Sequence, residues 1–190
     1  MLDLVNTVTA RNGEPTDWLD SYARVLEWAA LTGHFDKDLL VQLERIDKTD
    51  PRAGKLALRR LREVRENIHE VFAAAIRSEP APEKALRGLE RRWKAAVAHA
   101  RLTITDQHTS LELDLETSRL DYLKHELALR AVDLLRTFPP ARTRVCAGSS
   151  CGWLFIDRSK AGRRRWCDMA TCGNVAKSKR HYERERSLRR

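Results

Sequence analysis

The sequence predicts a mainly α-helical protein with two parts: a helical N-terminal domain that contains one β-hairpin, and a small treble-clef-like domain made of a knuckle, a β-hairpin and a helix. Three observations predict this class. Apolar residues recur every three or four positions through most of residues 1–138, as in packed helices. One segment, 101–116, alternates apolar and polar residues instead. All cysteines lie between residues 146 and 172, in a segment rich in arginine and lysine.

The first clearly periodic helix is predicted within residues 16–33. Thr16 and Asp17 are candidate N-caps, because their side-chain oxygens can accept free backbone N–H groups. Gly33 is the residue expected just after the last turn, where a left-handed conformation favours glycine. A shorter helix follows, with Asp36 as its predicted cap.

Two longer helices are predicted next. Asp50 and Pro51 combine a cap with a proline at the first helical position, and they begin an amphipathic helix. That helix ends at the proline-rich break 78–82. Pro82 can begin another helix, which is predicted to run to about Arg101.

The alternating segment 101–116 predicts two antiparallel strands. Its apolar residues fall on one face of both strands, and the loop between them is predicted around 106–110. A last helix is then predicted from a cap at Thr117 or Ser118 to Phe138. Two prolines follow, and since proline cannot continue a helix, we place the domain boundary there.

Charge is distributed unevenly along the chain. Residues 142–190 contain 14 Lys and Arg against 4 Asp and Glu, whereas the preceding residues contain 22 against 23. A basic segment on a nearly neutral body predicts a polyanionic partner, and a solvated charged tail is the alternative. No apolar run reaches the length of about 18 residues that a membrane helix needs, and we recognise no export signal. We therefore expect a cytoplasmic protein that does not enter the membrane.

The four cysteines, Cys146, Cys151, Cys167 and Cys172, have the spacing C-x4-C-x15-C-x4-C. Two close pairs with a strand-length spacer suit a tetrahedral thiolate site, because each pair offers two sulfurs at about 2.3 Å from a zinc ion. We therefore predict one structural zinc ion. Two disulfides, a redox switch and an iron–sulfur site are the alternatives, and a reducing cytoplasm argues against the disulfides.

The residues around the cysteines predict the rest of this finger. WLFID, 153–157, is predicted as one strand and RRRWC, 163–167, as the second, with a turn that ends at Gly162. The segment after Cys172 has no proline and many helix-forming residues, so this last ligand is expected at the start of a helix. The aromatic residues expected to pack around the metal are Trp153, Phe155 and Trp166.

The basic residues of the finger divide between the hairpin and the helix. On a helix, Lys177, Arg180 and Arg184 share one side with His181. They can contact phosphates or guanine edges, while the hairpin cations hold the backbone. The run 163–165 can alternatively offset the negative charge of a zinc–thiolate centre. The candidate nucleic-acid contacts are Lys160, Arg163, Arg164, Arg165, Lys177, Lys179, Arg180 and Arg184.

The segment CAGSSCGWLFIDRSKAGRRRWCDMATCGN, 146–174, resembles the CGNR zinc finger, a family named for the residues at its last cysteine. The N-terminal part, from LDLVNT through LEWAALTG, resembles the helical ABATE domain that precedes this finger in bacterial proteins. With the proline boundary, we predict domains at 1–138 and 145–190 and a linker at 139–144. The resemblance implies a bacterial transcription regulator, often linked to stress. The fourth letter of the family name is arginine, whereas this chain has Val175.

We interpret the chain as a regulator that binds double-stranded DNA through the zinc finger. The helical domain is then a sensor or a dimerisation module, and the chain could form a homodimer; the sequence identifies no effector. A zinc-stabilised protein-interaction module and an RNA-binding module are the alternatives. No catalytic constellation is visible, because the His-Glu pairs at 69–70 and 125–126 lack the second histidine of a zinc protease. The polar residues Asp3, Asn6 and Thr7 either line a pocket or cap the next turn.

Overall fold

The computed structural model describes residues 1–104, 109–137 and 141–188. Besides short 3-10 and π-helical turns, its helices are α1 (Leu2–Val5), α2 (Tyr22–Thr32), α3 (Lys37–Thr49), α4 (Pro51–Arg77), α5 (Glu83–Ala98), α6 (Leu115–Ser118), α7 (Tyr122–Thr137) and α8 (Asn174–Leu188). Its strands are β1 (Val8–Thr9), β2 (Thr16–Asp17), β3 (Ala100–Ile104), β4 (Thr109–Leu113), β5 (Thr143–Val145) and β6 (Leu154–Ile156). They pair as the antiparallel hairpins β1–β2, β3–β4 and β5–β6. Because the helices contain far more residues than these short strands, the mainly α-helical class is confirmed. Every helix in these ranges is too short or too polar to serve as a membrane span.

The start of α2 differs from the prediction. Thr16 and Asp17 do not cap the helix, because they form β2. The Asp17 carboxylate instead accepts two hydrogen bonds from the Arg65 guanidinium, at 2.6 and 2.8 Å. Ser21 is the cap and accepts a backbone N–H of the first turn. Gly33 ends the helix in the predicted left-handed conformation, with φ of 65°.

The predicted beginnings of α3 and α4 are confirmed. The Asp36 and Asp50 side chains each accept a backbone N–H of the first turn at 3.0 Å, and Pro51 is the first residue of α4. The next helix, α5, ends at Ala98 rather than near Arg101, because the chain passes directly into β3.

The β3–β4 hairpin is the one predicted from alternation, with Leu102 opposite Leu111. Most of its predicted loop, 106–110, lies outside the described residues. Both leucines are exposed, at 65% and 46% of their surface. The apolar face of the hairpin is therefore not fully covered by the rest of the described chain.

The last helix of the N-terminal part begins differently from the prediction. Asp114, rather than Thr117 or Ser118, caps the short helix α6. Arg119 then adopts a left-handed φ of 47°, which interrupts the helix before a 3-10 turn leads into α7. The predicted end at Phe138 lies outside the described residues.

The central helix of the core is α4. Leu61, Val64, Ile68 and Phe72 lie along one side of it and are at most 1% exposed. They pack with buried residues of α1, α2, α3, α5 and α7 in one apolar cluster. Burying an apolar side chain of this size contributes roughly 1.5–3 kcal/mol, so this stripe fixes the arrangement of the helices.

A buried ion-pair network joins α4 to the start of the chain. Arg65 is 3% exposed and bonds to Asp17, to Thr7 Oγ1 at 3.1 Å and to Glu66 at 2.7 Å. Arg11 donates to Glu66 at 2.6 Å. Burial works to raise the pKa of Asp17, but the Arg65 hydrogen bonds and charge outweigh it and lower the pKa. Removing one partner would leave a buried charge uncompensated.

The hairpin of the finger differs from the predicted one. Strand β6 pairs with β5, which precedes the first cysteine, whereas residues 163–166 form no strand. The cause is Asp157, whose carboxylate accepts the backbone N–H groups of Ser159 and Arg164 at 2.9 and 2.8 Å. These bonds close a loop after β6 where the prediction placed a two-stranded turn. Strand β5 begins within the segment 139–144 that was assigned to a linker.

Candidate zinc centre and nucleic-acid surface

The four predicted cysteines come together in the finger. Their Sγ atoms all lie within 4.8 Å of one another. The Sγ atom of Cys167 lies 3.7 Å from that of Cys151 and 3.8 Å from that of Cys172. A tetrahedral zinc ion with Zn–S bonds of about 2.3 Å requires S–S separations of about 3.8 Å. The sulfurs are free of disulfide bonds and fit one four-thiolate zinc ion.

Backbone N–H groups prepare the first cysteine for a metal. Cys146 Sγ accepts hydrogen bonds from the N–H groups of Gly148 and Cys167, both at 3.4 Å. Burial works to raise the pKa of Cys146, but these donors lower it by more. Burial and the nearby Cys146 sulfur raise the pKa of Cys151 to about 11. A zinc dication bound among the sulfurs would supply the positive charge that keeps all of them deprotonated.

Gly148 has a steric role in this knuckle. A Cβ atom at this position would lie 3.2 Å from Cys172 Sγ and 3.1 Å from Cys151 Cβ. A side chain here would therefore require one cysteine of each pair to shift by a few tenths of an ångström. The glycine allows the backbone of the knuckle to approach the metal site closely.

The second cysteine pair leads into α8, as predicted. Cys172 lies in a π-helical turn, Met169–Gly173, and α8 begins at the next residue. Asp168 caps this turn by accepting from the Thr171 N–H at 2.8 Å and from the Thr171 hydroxyl at 2.9 Å. The zinc site therefore fixes the position of the N-terminus of α8, the basic helix.

The finger is joined to the helical domain by hydrogen bonds at β6. The Asn6 side-chain amide donates to the Leu154 carbonyl at 2.8 Å and accepts from the Leu154 N–H at 3.0 Å. The Trp153 indole N–H donates to the Val8 carbonyl at 2.8 Å. Leu154 is fully buried in the main apolar cluster. Trp153 thus packs on the helical domain, and not around the metal as predicted.

A second set of contacts lies at the first knuckle. The backbone N–H groups of Arg11 and Asn12 donate to the carbonyls of Cys151 and Ser150, both at 3.0 Å. Gly152 adopts a φ of 74°, and a Cβ atom there would lie 2.9 Å from Arg11 Cβ. His69 Nε2 lies 3.1 Å from the Gly152 carbonyl. A metal ligand is therefore held by backbone contacts from the helical domain.

The basic residues of the loop and of α8 share a surface. One groove of about 350 Å³ is lined by the cations Arg165, Lys179 and Arg180, by Trp166 and by one acid, Glu183, among others. A second groove of about 300 Å³ shares Arg165 and Trp166 with it and adds Arg163. The Arg165 guanidinium lies 5.4 Å from the centre of the Trp166 ring. These residues form what we call the basic groove surface.

The remaining candidate contacts are in two places. Side chains 177–186 of α8 are all exposed, and Lys177 and Arg184 lie on a different side of the helix from Lys179. Lys160 is exposed in the turn after β6. The structure thus presents cations on more than one side of the finger.

Arg164 differs from its two neighbours. It is half-buried, its guanidinium donates to the Cys167 carbonyl and lies 5.2 Å from the centre of the Phe155 ring, and its N–H donates to Asp157. Hydrogen bonds from Ser159 lower the pKa of Asp157 to about 2. Sequence reasoning did not identify the buried Asp157 as a positioning residue, although its place directly before a serine- and glycine-containing turn was the available signal.

The polar residues of the chain start lie in a cleft. Asp3, Asn6 and Thr7 line it together with three tryptophans. Thr7 also donates to the Leu4 carbonyl at the end of α1, at 2.7 Å. These residues therefore line a cleft, which was one of the two expectations, whereas the Thr7 bond is made to the preceding turn and not to the next one.

A helical domain with a closed four-cysteine zinc site and a basic helix defines a zinc-finger protein with an attached α-helical module. A family model for the CGNR zinc finger matches residues 142–185. The ABATE model, described as "Putative stress-induced transcription regulator", matches residues 1–137. The chain belongs to the ABATE family and carries a C-terminal CGNR zinc finger. A search of curated proteins found no match.

Proposed function

We propose that this chain is a DNA-binding transcription regulator of the cytoplasm, in which the zinc finger contacts double-stranded DNA and the helical domain sets when it does so. The basic groove surface is the observation that carries the proposal. Arg165 lies in one groove with Lys179 and Arg180 of α8, next to the zinc site. We assign no catalysis to the metal, since four thiolates leave no open position for a substrate.

The exposure of α8 supports a groove-binding role. A helix of this width fits the major groove of B-DNA. Its side chains from 177 to 186 are exposed all round, so every side of this part of the helix is accessible to a partner. Phosphates on either side of the groove would meet cations of the loop and of the helix.

The contacts of the finger with the helical domain support a control function. Residues 6–12 bond to the backbone of Ser150, Cys151 and Leu154. A displacement of this N-terminal segment would therefore move a ligand-bearing knuckle. The family description, a stress-induced transcription regulator, agrees with such a linkage.

Salt-dependent binding to duplex DNA tests the proposal. The full chain is needed, because Leu154 of the finger is buried in the core of the helical domain. Fluorescence anisotropy with a labelled genomic duplex pool should show log Kd rising with log salt. Removing Lys179 and Arg180 together should lower that slope by up to about 2, at about 0.9 per phosphate contact.

The matched control removes two exposed cations from α5, Lys84→Ala and Arg91→Ala, which changes the net charge equally. The control should bind as the unmodified chain does. An affinity that does not change with salt, or an equal loss in both double variants, would contradict duplex binding by the finger.

RNA binding is the second candidate, and one contact favours it. In the basic groove surface, the Arg165 guanidinium lies close to the ring of Trp166. Aromatic rings and arginine side chains both stack on unpaired bases. The same titration with a single-stranded RNA pool separates the candidates. Trp166→Ala should weaken RNA binding far more than duplex binding if bases stack there.

A further inference from the structure

A cleft of about 680 Å³ lies where the helical domain meets the finger. The start of the chain, α2 and Trp153 of the finger form its walls. Three of the five tryptophans of the chain, Trp18, Trp28 and Trp153, line it. Asp3 is the acidic residue of the cleft, and its lining among the described residues includes no lysine, arginine or histidine. An acidic, aromatic cleft is unexpected in a chain with a net charge of +9.

The indole of Trp28 lacks a hydrogen-bond partner. This side chain is 6% exposed, and its Nε1–H is buried without an acceptor in the part of the chain that the structure describes. Such groups are rare in folded proteins and call for an explanation. Because Trp28 also lines the cleft, an acceptor oxygen on a bound molecule would satisfy this donor if binding moved the side chains that cover it.

The walls also indicate the charge of that molecule. Indole rings attract cations over their faces, and a nearby carboxylate adds to the attraction. Trp18 already holds a cation in this way: the Arg24 guanidinium lies 5.3 Å from its ring centre and is neutralised by Glu27 at 2.7 Å. A ligand with a positive centre would find the same type of ring, partly exposed, at Trp153, whereas Trp28 is buried and offers its N–H donor.

We propose that this cleft binds a small organic cation, an amine or quaternary ammonium compound that also carries a hydrogen-bond acceptor. The rings of Trp18 and Trp153 would lie against the cationic end, Asp3 would face its charge, and Trp28 Nε1–H would donate to its oxygen.

The cleft lies next to the hydrogen bonds that join the helical domain to the finger, so a bound ligand could influence the position of the finger. Asn6 and Trp153 line the cleft, and the same residues bond to Leu154 and Val8 across the domain contact. A ligand that contacts these two side chains acts on the hydrogen bonds that hold the finger. This regulatory step rests on the proposed DNA-binding function, whereas ligand binding itself does not.

Indole N–H resonances provide a residue-resolved test. A two-dimensional ¹H–¹⁵N spectrum of the zinc-loaded chain contains one indole signal for each of five tryptophans. Choline is the probe, and 3,3-dimethylbutan-1-ol, which has the same shape and hydroxyl group but no charge, is its matched control. Choline should shift the signals of Trp18, Trp28 and Trp153 and leave those of Trp93 and Trp166 in place. No shift, or equal shifts with the uncharged alcohol, overturns the proposal.

Variants locate the charge in the cleft. Asp3→Asn should weaken choline binding about three- to fivefold, whereas Asp20→Asn, an exposed acid outside the cleft lining, should not change it. Equal affinities of both variants would overturn the role of Asp3. Duplex affinity measured with and without choline then tests the coupling. Choline binding without any change in DNA affinity would overturn the coupling alone, and absence of DNA binding would overturn the proposed function alone.

Discussion

The side-chain amide of Asn6 pairs with the backbone of Leu154 in both directions, donating at 2.8 Å and accepting at 3.0 Å. The amide thus makes the same pair of hydrogen bonds with β6 that the backbone of a neighbouring strand would make. It satisfies an N–H and a carbonyl that lie next to a fully buried side chain. Two domains that the sequence separates share a core at this point.

Replacing this amide should loosen the finger. Asn6→Leu leaves the Leu154 N–H and carbonyl without their partner, and we expect the free energy of unfolding to fall by about 1–3 kcal/mol. Urea unfolding of the zinc-loaded chain measures this change. Asn12→Ala is the control, since only the backbone of Asn12 bonds to the finger, and it should have little effect. Equal stabilities of the two variants would contradict the role of the Asn6 amide.

The parts of the structure that sequence reasoning predicted correctly depend on local patterns. The spacing of the cysteines predicted the metal site, because a knuckle brings two nearby sulfurs together wherever it forms. Asp36 and Asp50 were predicted as caps because a cap needs only the next three residues. The β3–β4 hairpin followed from alternation within one short segment.

The parts that were predicted wrongly depend on distant residues. The residues near Asp17 in the sequence make it a good candidate cap, but Arg65 on α4 donates a hydrogen bond to its carboxylate instead. The hairpin of the finger is the exception, because its cause is local: Asp157 lies directly after β6 and closes a loop where a second strand was expected. The Asn6–Leu154 contact joins positions 148 residues apart, and no local pattern indicates it.

Removal of zinc should destabilise the helical domain as well as the finger. Val145 and Leu154, on strands next to the first two ligands, pack in the core of the helical domain. Zinc holds these strands in place, so a chelator should lower the melting temperature of the whole chain. Calorimetry with and without EDTA measures the effect, and metal analysis should give one zinc per chain. An unchanged main transition after complete zinc loss would contradict this coupling.

The arginine run should separate into two roles. Arg164 is bonded to Cys167 and lies over Phe155, whereas Arg163 is exposed in a groove. Arg164→Ala should therefore lower the affinity for zinc by about tenfold, measured by competition with a colorimetric chelator. Arg163→Ala should retain zinc and lose affinity for duplex DNA instead. The same effect of both substitutions on zinc would contradict this separation.

Acid should weaken the fold in a defined window. Burial, followed by the charge of Lys124 and by His99, lowers the pKa of His125 to about 4. Burial and the charge of Arg11 also lower the pKa of His69. The unfolded chain takes up these protons near pH 6.5 and the folded chain does not. The contribution of His125 to the free energy of unfolding is therefore complete above about pH 6.5, falls as the pH decreases towards 4, and changes no further below 4. The contribution of His69 also falls as the pH decreases below about 6.5.

The size of the His125 contribution can be measured by comparison. The lowering of the His125 pKa corresponds to roughly 3 kcal/mol of unfolding free energy across this window. His125→Gln should reduce the dependence of the unfolding free energy on pH between 6.5 and 4. His34→Gln, an exposed position, should leave the dependence unchanged. Parallel curves for the unmodified chain and His125→Gln would contradict the assignment.

Val175 is the position where this chain departs from the arginine of the family name, and its place in the structure gives a directional prediction. It is 64% exposed and lines the groove that contains Lys179 and Arg180. Val175→Arg should therefore add a phosphate contact without loss of packing, raising duplex affinity about three- to tenfold at low salt and steepening the salt dependence by about 0.9. Val175→Gln, which is polar but uncharged, should do neither.

If the glutamine variant gained as much affinity as the arginine variant, charge would not be the cause. If neither gained, the groove would not face the DNA backbone, and the cations on the Lys177 side of α8 would become the contacts to test.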